Sequence, residues 1–261
     1  MLEENNHYLI HLPHSGTKIP QQYMSDYLLS QEKLHANIYE YADLYTDVLF
    51  EEMYETFGGV KSEYSRLFFD PERFFDDAHE VMQTNFGMGW FYENAVLEKI
   101  PLRKTHNKEV ISKYFLNHHK ELNEKTKAKL EKYGKCTLID CHSFSSTPYW
   151  FLDKNMELPD ICIGYEEMHK DEFLVQTILE EFEGFNIMIN RPYSGSLVPT
   201  DYYQKNTNVK SVMIEINKKL YLDSDNLTQS KNFILIKQKL DNISRKLTTS
   251  IQTYSCQNSN A

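Results

Sequence analysis

No run of about 18 apolar residues occurs in this chain, so the sequence offers no candidate for a membrane-spanning helix. The opening residues, Met1-Leu2-Glu3-Glu4-Asn5-Asn6-His7, have neither the basic start nor the apolar stretch of a secretory signal. Cysteine is scarce. Cys136, Cys141, Cys162 and Cys256 show no CxxC spacing, so neither a zinc knuckle nor a disulfide framework is expected. Cys136 and Cys162 sit in apolar, strand-like runs and read as small core residues. These absences together lead to the expectation of a reduced, cytoplasmic location. Positive charge is also short: 28 Lys and Arg stand against 38 Asp and Glu, a formal net charge of −10. That balance argues against nucleic acid as the main partner, because phosphate binding needs a basic patch. The lysine-rich stretch 125–135 is preceded by Glu121 and Glu124 and interrupted by Glu131, and reads as a solvated helix face.

What is present is ordinary in bulk and specific in detail. With 261 residues, 41% hydrophobic and 25% charged, the chain can bury the core of one large domain, and residues 1–261 are expected to form a single domain. Residues 7–13 read as a strand running into His14-Ser15-Gly16. A helical pattern follows over 38–57, with Ile38, Tyr41, Tyr45, Val48, Leu49 and Met53 on one face and a stop at Gly58-Gly59. Residues 60–69 look extended, and 74–106 read as a long functional loop region with some helix. A helix is expected over 107–133, bearing Val110, Tyr114, Phe115 and Leu122, then a strand ending at Asp140. Further on come a short strand at 161–164, a helix at 168–183 with Phe173, Leu174, Ile178 and Phe182 inward, and strand-like residues 186–190. After a turn at 191–195 a strand leads to Ile216. The last helix, 229–253, repeats Phe233, Ile236, Leu240, Ile243, Leu247 and Ile251, and its tail from Cys256 is expected to fray. Alternating strands and helices predict a three-layer α/β/α sandwich around a mixed, mostly parallel central sheet.

The chemistry-bearing residues collect at strand ends, where open α/β sheets build active sites. His14 exits the first strand beside Gly16; it reads as a metal ligand or general base, or else as a histidine bonded within a turn. His11 is a rival whose direction the pattern leaves open. Asp140 and His142 flank Cys141 and point the same way in extended geometry, which suits an imidazole ligand steadied by a carboxylate. Glu215, among Val212, Met213, Ile214 and Ile216, is costly to bury without a partner. Two histidines and two carboxylates so placed are the ingredients of a catalytic zinc site. Arg66 and Arg73 follow an aromatic run and suit an anionic small-molecule substrate, or else pair at the surface with Asp70 or Glu72. His118-His119 lies on the charged helix and reads as a solvated pair.

Taken in order, eight short motifs resemble the N-formylglutamate amidohydrolase family, whose fold is related to the zinc carboxypeptidases. They are Pro13-His14-Ser15-Gly16, Asp43 to Asp47, Ser65-Arg66 with Asp70 to Arg73, Tyr114 to His119, Asp140 to Ser143, Pro159 to Gly164, Asn190 to Gly195, and Ile214-Glu215-Ile216 with Leu220-Tyr221. The likeness covers about 7–222. It implies zinc on His14, Asp43 and His142, with Asp47 the alternate third ligand, since Thr17 stands where the carboxypeptidase pattern has an acid. Asp43 could equally cap a helix. By the same resemblance Glu215 is the catalytic carboxylate, Arg66 steadies the oxyanion, and Arg73, His119, Ser143 and Asn190 contact substrate. One departure stands out: Asp70-Pro71-Glu72-Arg73 replaces the family's Asp-Leu-Asn-Arg, so an acid stands where an amide is usual. The activity implied is zinc-dependent hydrolysis of a small N-acyl amino acid such as N-formylglutamate. A carboxypeptidase or cell-wall peptide amidase, or a non-catalytic ligand-binding relative, is the alternative on the same scaffold. Oligomeric state is left open.

Overall fold

The computed structural model describes residues 6–76, 85–95, 97, 100–149, 153 and 155–258. Its centre is a strand that the sequence makes apolar on both sides. β5 (Cys136–Phe144) is buried at all nine positions, as a strand covered on both faces must be. Around it lie β1 (Tyr8–Leu12), β2 (Gly59–Lys61), β6 (Ile161–Gly164), β7 (Ile187–Ile189) and β8 (Val209–Asn217), in the order β2-β1-β5-β8-β6-β7. Every pairing is parallel except β6 with β8, so the sheet is mixed and mostly parallel, as expected.

Strand alternation assigns the two faces. Ile10, Ile139, Cys141, Val212, Ile214 and Ile216 belong to one buried cluster with residues of α3 (Glu51–Phe57), α5 (Glu172–Glu181) and α6 (Phe233–Asn258). Leu9, Cys136 and Leu138 form another with Leu122 of α4 (Lys108–Tyr133). His11, Asp140, His142 and Glu215 alternate with the first set and therefore stand on the α4 side. The registers His11↔Asp140 and His142↔Glu215 bring them together from three adjacent strands.

Several sequence expectations shift. The helix over 38–57 is three: α1 (Gln31–Tyr41), α2 (Thr46–Leu49) and α3. It starts earlier because the Ser30 side chain caps it, accepting from the Lys33 amide. It breaks at Ala42-Asp43-Leu44, where the Asp43 amide donates to the His14 carbonyl (2.9 Å) and Tyr45 takes a left-handed φ of 63°. The apolar spacing runs straight through this break, so periodicity could not reveal it. The extended stretch 60–69 pairs only as far as Lys61, apart from a bridge at Tyr64, and turns at Arg66–Phe68. The strand ending at Asp140 continues to Phe144, because β8 pairs with it throughout.

Helix stripes also move. On α4 the buried positions are Ile111, Phe115, His118, His119, Leu122 and Thr126, while Val110 is exposed; the two histidines are not solvated. Lys127 pairs with Glu131 on its exposed face as expected, but the lysine-rich stretch is not solvated throughout: Lys125, besides pairing with Glu121, donates to the Gly59 carbonyl (2.6 Å), and Lys129 donates to the carbonyls of Asn6 (2.7 Å) and Phe57 (3.0 Å). On α5 Phe173 is exposed and Leu174, Val175 and Ile178 are buried. The α6 stripe Phe233, Ile236, Leu240, Ile243 and Leu247 is buried as read; Ile251 lies outside the described side chains, and the helix runs on to Asn258.

Part of 74–106 falls outside the described residues. The rest is not loose: Trp90 and Phe91 pack with Phe68, Phe69, Ile111 and Phe115, and a hairpin pairs β3 (Asn94–Ala95) with β4 (Ile100–Pro101). The buried Arg103 stacks over the Phe91 ring at 3.5 Å and donates to the carbonyls of Phe68 and Tyr92, both at 2.9 Å. This clasp fixes the segment that carries Asp70 over the sheet's C-terminal edge.

Candidate active site

His14 leaves β1 in a loop pressed so closely on the Glu63 backbone that a Cβ at residue 16 would overlap it, which is why Gly16 stands there. The imidazole is buried, and its Nε2 lies 2.8 Å from Asp70 Oδ1. With Nε2–H donated to that carboxylate, Nδ1 carries a lone pair, and it is a buried atom without a hydrogen-bond partner among the described residues. It stands 3.7 Å from Asp43 Oδ2. His142, from mid-β5, repeats the arrangement: its Nε2 is 3.1 Å from Asp140 Oδ1 and its Nδ1 is 3.2 Å from the same Asp43 oxygen. Two ring nitrogens and one carboxylate oxygen thus converge, while a carboxylate steadies the far side of each ring. Two-histidine, one-carboxylate metal sites use donors placed this way, with carboxylates holding the rings from behind. His14, Asp43 and His142 could hold a metal ion with a coordination position left for a ligand. Asp47, the alternate acid, lies instead 3.7 Å from Lys61 Nζ.

The electrostatics follow from burial and pairing. Burial opposes ionisation of Asp43, but the two imidazoles beside it hold its carboxyl far below the usual range. Burial likewise opposes the charged form of His142, yet the Asp140 and Asp43 carboxylates raise its pKa well above that of a free imidazole. Positive charge is therefore strongly favoured between these rings, whether a proton or a metal supplies it.

Asp70 is the hub of the surrounding network. Fully buried, it accepts from Arg66 Nε (3.1 Å) and Nη2 (2.8 Å) and from the Tyr92 hydroxyl (3.2 Å) on Oδ2. Its Oδ1 accepts from the Glu72 amide (3.0 Å) besides His14. Burial opposes its charge, and Arg66 overcomes that, holding the carboxyl well below the usual range.

A second cluster backs the first. His11 Nδ1 is 2.9 Å from Asp140 Oδ1, and its Nε2 is 2.8 Å from His118 Nε2. Glu72 Oε1 is 3.2 Å from the same Nδ1 but outside hydrogen-bonding geometry, so the contact is an ion pair. Burial lowers the His11 pKa, but Asp140 and Glu72 raise it more, to about 9. His118, by burial and the nearby His11 charge, stays neutral and can accept. His11, whose direction the sequence left open, points to Asp140.

These groups open onto a cavity of about 390 Å³ lined by His14, Asp43, Arg66, Arg73, His142 and Glu215, among others. Glu215 is buried at its inner wall with Oε2 lacking a partner; burial first, then the Asp43 and Asp140 charges, push its pKa up to about 8 against the pull of His142 and Arg66. Ser143 also lines the cavity, and the Tyr221 hydroxyl bridges its Oγ (2.8 Å) and the Leu44 carbonyl (2.9 Å). Two other residues expected at the substrate are not among the lining. His119 lies in the α4 core, its ring 4.3 Å from Phe115. Asn190 holds the following turn, its Oδ1 accepting from the amides of Tyr165 (3.0 Å) and Gly195 (3.1 Å). Asp70 and Glu72, which the sequence offers as surface partners for arginine and as part of a family-like motif, are instead both at the site. The signal for Asp70 was its place directly before Pro71, where the chain turns back toward the strand ends.

The family model for N-formylglutamate amidohydrolase matches residues 7–222. Among solved structures, an N-formylglutamate amidohydrolase from Ralstonia eutropha JMP134 superposes with a TM-score of 0.79 at 19% identity, covering 95% of this chain and 94% of that one. A gene product of Agrobacterium tumefaciens does so with a TM-score of 0.63, at 19% identity and the same coverage. A search of curated proteins returned no match. With more than four-fifths of its length matched, the chain belongs to the N-formylglutamate amidohydrolase family.

Proposed function

We propose that this amidohydrolase is zinc-dependent and cleaves the amide bond of small N-acyl amino acids of the N-formyl type. The observation that carries the reading is the convergence of His14 Nδ1, His142 Nδ1 and Asp43 Oδ2 at one edge of the cavity, with Asp70 and Asp140 fixing the ring orientations. Zinc on these three residues would supply Lewis acidity, lowering the pKa of water toward neutrality and polarising an amide carbonyl.

The protein supplies the rest. Glu215 faces the same cavity, and its carboxyl, whose ionisation burial opposes, would take a proton from the attacking water and return it to the leaving nitrogen. Among the described residues nothing hydrogen-bonds its Oε2, which leaves that oxygen for the reacting groups. Arg66 is pinned to Asp70 along the cavity wall and stands where negative charge on the amide oxygen is stabilised by a fixed cation. Arg73, on the same wall, is the cation for the substrate's α-carboxylate.

Replacing Glu215 with Gln tests this division of labour. The variant should retain zinc, because Glu215 is outside the donor set, while kcat falls by roughly 10²–10⁴-fold, the usual worth of a positioned acid–base group. An unimpaired kcat would remove Glu215 from the mechanism.

A further inference from the structure

We infer, building on the N-acyl amino acid reading, that the cavity selects a substrate with one carboxylate and an apolar or aromatic side chain over a dicarboxylic one. The described walls beyond the metal-type site are rich in aromatic rings. Tyr41 and Tyr149 stack at 5.2 Å and 18°, Phe74 meets Tyr203 at 5.9 Å, and Phe144 meets Tyr193 at 5.5 Å. All six rings line the cavity.

Cationic groups are few in comparison. Among the described lining residues, apart from His14 and His142, only Arg66 and Arg73 carry positive charge. The Arg66 charge is already matched by the buried Asp70. Arg73 sits 3.8 Å from the same carboxylate, with Nε on the Met88 carbonyl at 3.3 Å. Among the described lining residues the other charges, outside Asp43 and Glu215, are Glu166 and Glu72, both acidic, the latter paired with His11 at 3.2 Å.

A substrate of two carboxylates therefore meets an imbalance. With the α-carboxylate on Arg73 and the amide oxygen toward Arg66, the second carboxylate leaves water for a wall whose described residues offer it rings and a few serine and tyrosine hydroxyls but no cationic partner. An ion desolvated without a partner binds poorly, and one beside like charge binds worse. An aromatic or thioether side chain has no such penalty and gains the edge and face contacts those rings offer. Glu72, the acid in the one motif that departs from the family, turns its carboxylate to His11 (3.2 Å) and His142 (3.8 Å), so it offers a second carboxylate no counter-charge.

The test is a panel of N-formyl-L-phenylalanine, -methionine and -glutamate with the zinc-loaded enzyme. The phenylalanine and methionine compounds should show kcat/KM at least about tenfold above the glutamate compound, the scale of discrimination an apolar pocket provides. Turnover with glutamate equal or favoured overturns the selectivity and leaves the amidohydrolase reading standing. Calorimetry of the same compounds on zinc-loaded Glu215→Gln ranks the side chains without turnover, so a failed reaction still decides the question. Tighter binding of the phenylalanine compound there supports the inference; tighter binding of the glutamate compound, or of none, overturns it. Phe74→Ala should lower the phenylalanine-to-glutamate ratio about fivefold or more, whereas a general loss of folding would depress both substrates alike and leave the ratio unchanged, against the inference.

Discussion

Asp70→Asn is the perturbation whose consequence can be worked furthest. The two side chains have nearly the same shape, but the amide has one acceptor oxygen where the carboxylate has two. Oδ2 takes Arg66 Nε, Arg66 Nη2 and the Tyr92 hydroxyl, while Oδ1 takes the Glu72 amide and faces His14 Nε2 at 2.8 Å. Turning the new NH₂ toward a guanidinium would set donors against donors, so the oxygen must remain with Arg66 and the NH₂ must face His14. His14 can then satisfy that donor only by accepting on Nε2, which moves its proton to Nδ1. Nδ1 is the atom aimed at Asp43, so the metal-facing lone pair is lost. Losing such an outer partner costs ~10–100-fold in metal affinity, and the tautomer change puts this case at or beyond the upper end. That corresponds to about 1.4–2.8 kcal/mol of binding free energy. Stability should fall as well, by up to about 3–5 kcal/mol, because Arg66 is left largely buried without its counter-ion. Zinc competition against a chromogenic chelator measures the first effect and urea unfolding of the zinc-free protein the second. A folded Asp70→Asn protein that binds zinc as tightly as the unaltered chain would refute the reasoning.

Other outcomes follow from the same contacts. The His11 pKa is raised to about 9 in the folded chain against about 6.5 unfolded, so its stabilising contribution is complete below pH ~6.5 and lost as pH rises through ~9. Chelator-treated protein should therefore lose stability between pH 6.5 and 9.5, by up to a few kcal/mol, and His11→Asn should flatten that loss; equal slopes in urea titrations would contradict it. Zinc affinity should fall as pH is lowered, because the metal must displace the proton that His142 otherwise holds strongly. Proton release on zinc binding, followed by calorimetry in buffers of different ionisation enthalpy, checks this directly. Leu240→Ala, at a fully buried position on α6, should cost about 2–5 kcal/mol in unfolding while leaving kcat intact, which separates the core from the site.

The parts of this molecule legible in the sequence are those set by short-range pattern. β5 and β8 announce themselves because strands buried on both faces are continuous apolar runs, and the polar interruptions Asp140, His142 and Glu215 then stand out against them. The α6 stripe is equally plain. What the sequence hid depends on tertiary context. The apolar positions Tyr41, Tyr45, Val48 and Leu49 keep helical spacing across Asp43, so nothing local shows that the chain breaks there to hydrogen-bond the loop of His14. Asp70 is surrounded by Arg66, Glu72 and Arg73, a composition that reads as solvent-exposed, yet it is fully buried against His14, Arg66 and Tyr92, which come from three separate parts of the chain. His118 and His119 sit among lysines and glutamates, yet continue the i, i+4, i+7 progression from Ile111, which is the stronger signal.

The central claim is that His14, Asp43 and His142 grip one metal ion. Anomalous diffraction from zinc-loaded crystals, recorded on either side of the zinc edge, tests it most directly. The account predicts a single strong peak in bonding contact with the Nδ1 atoms of both imidazoles and with the Asp43 carboxylate, beside Glu215. A peak elsewhere in the chain, or coordination through Nε2 with Asp70 and Asp140 displaced, would contradict it.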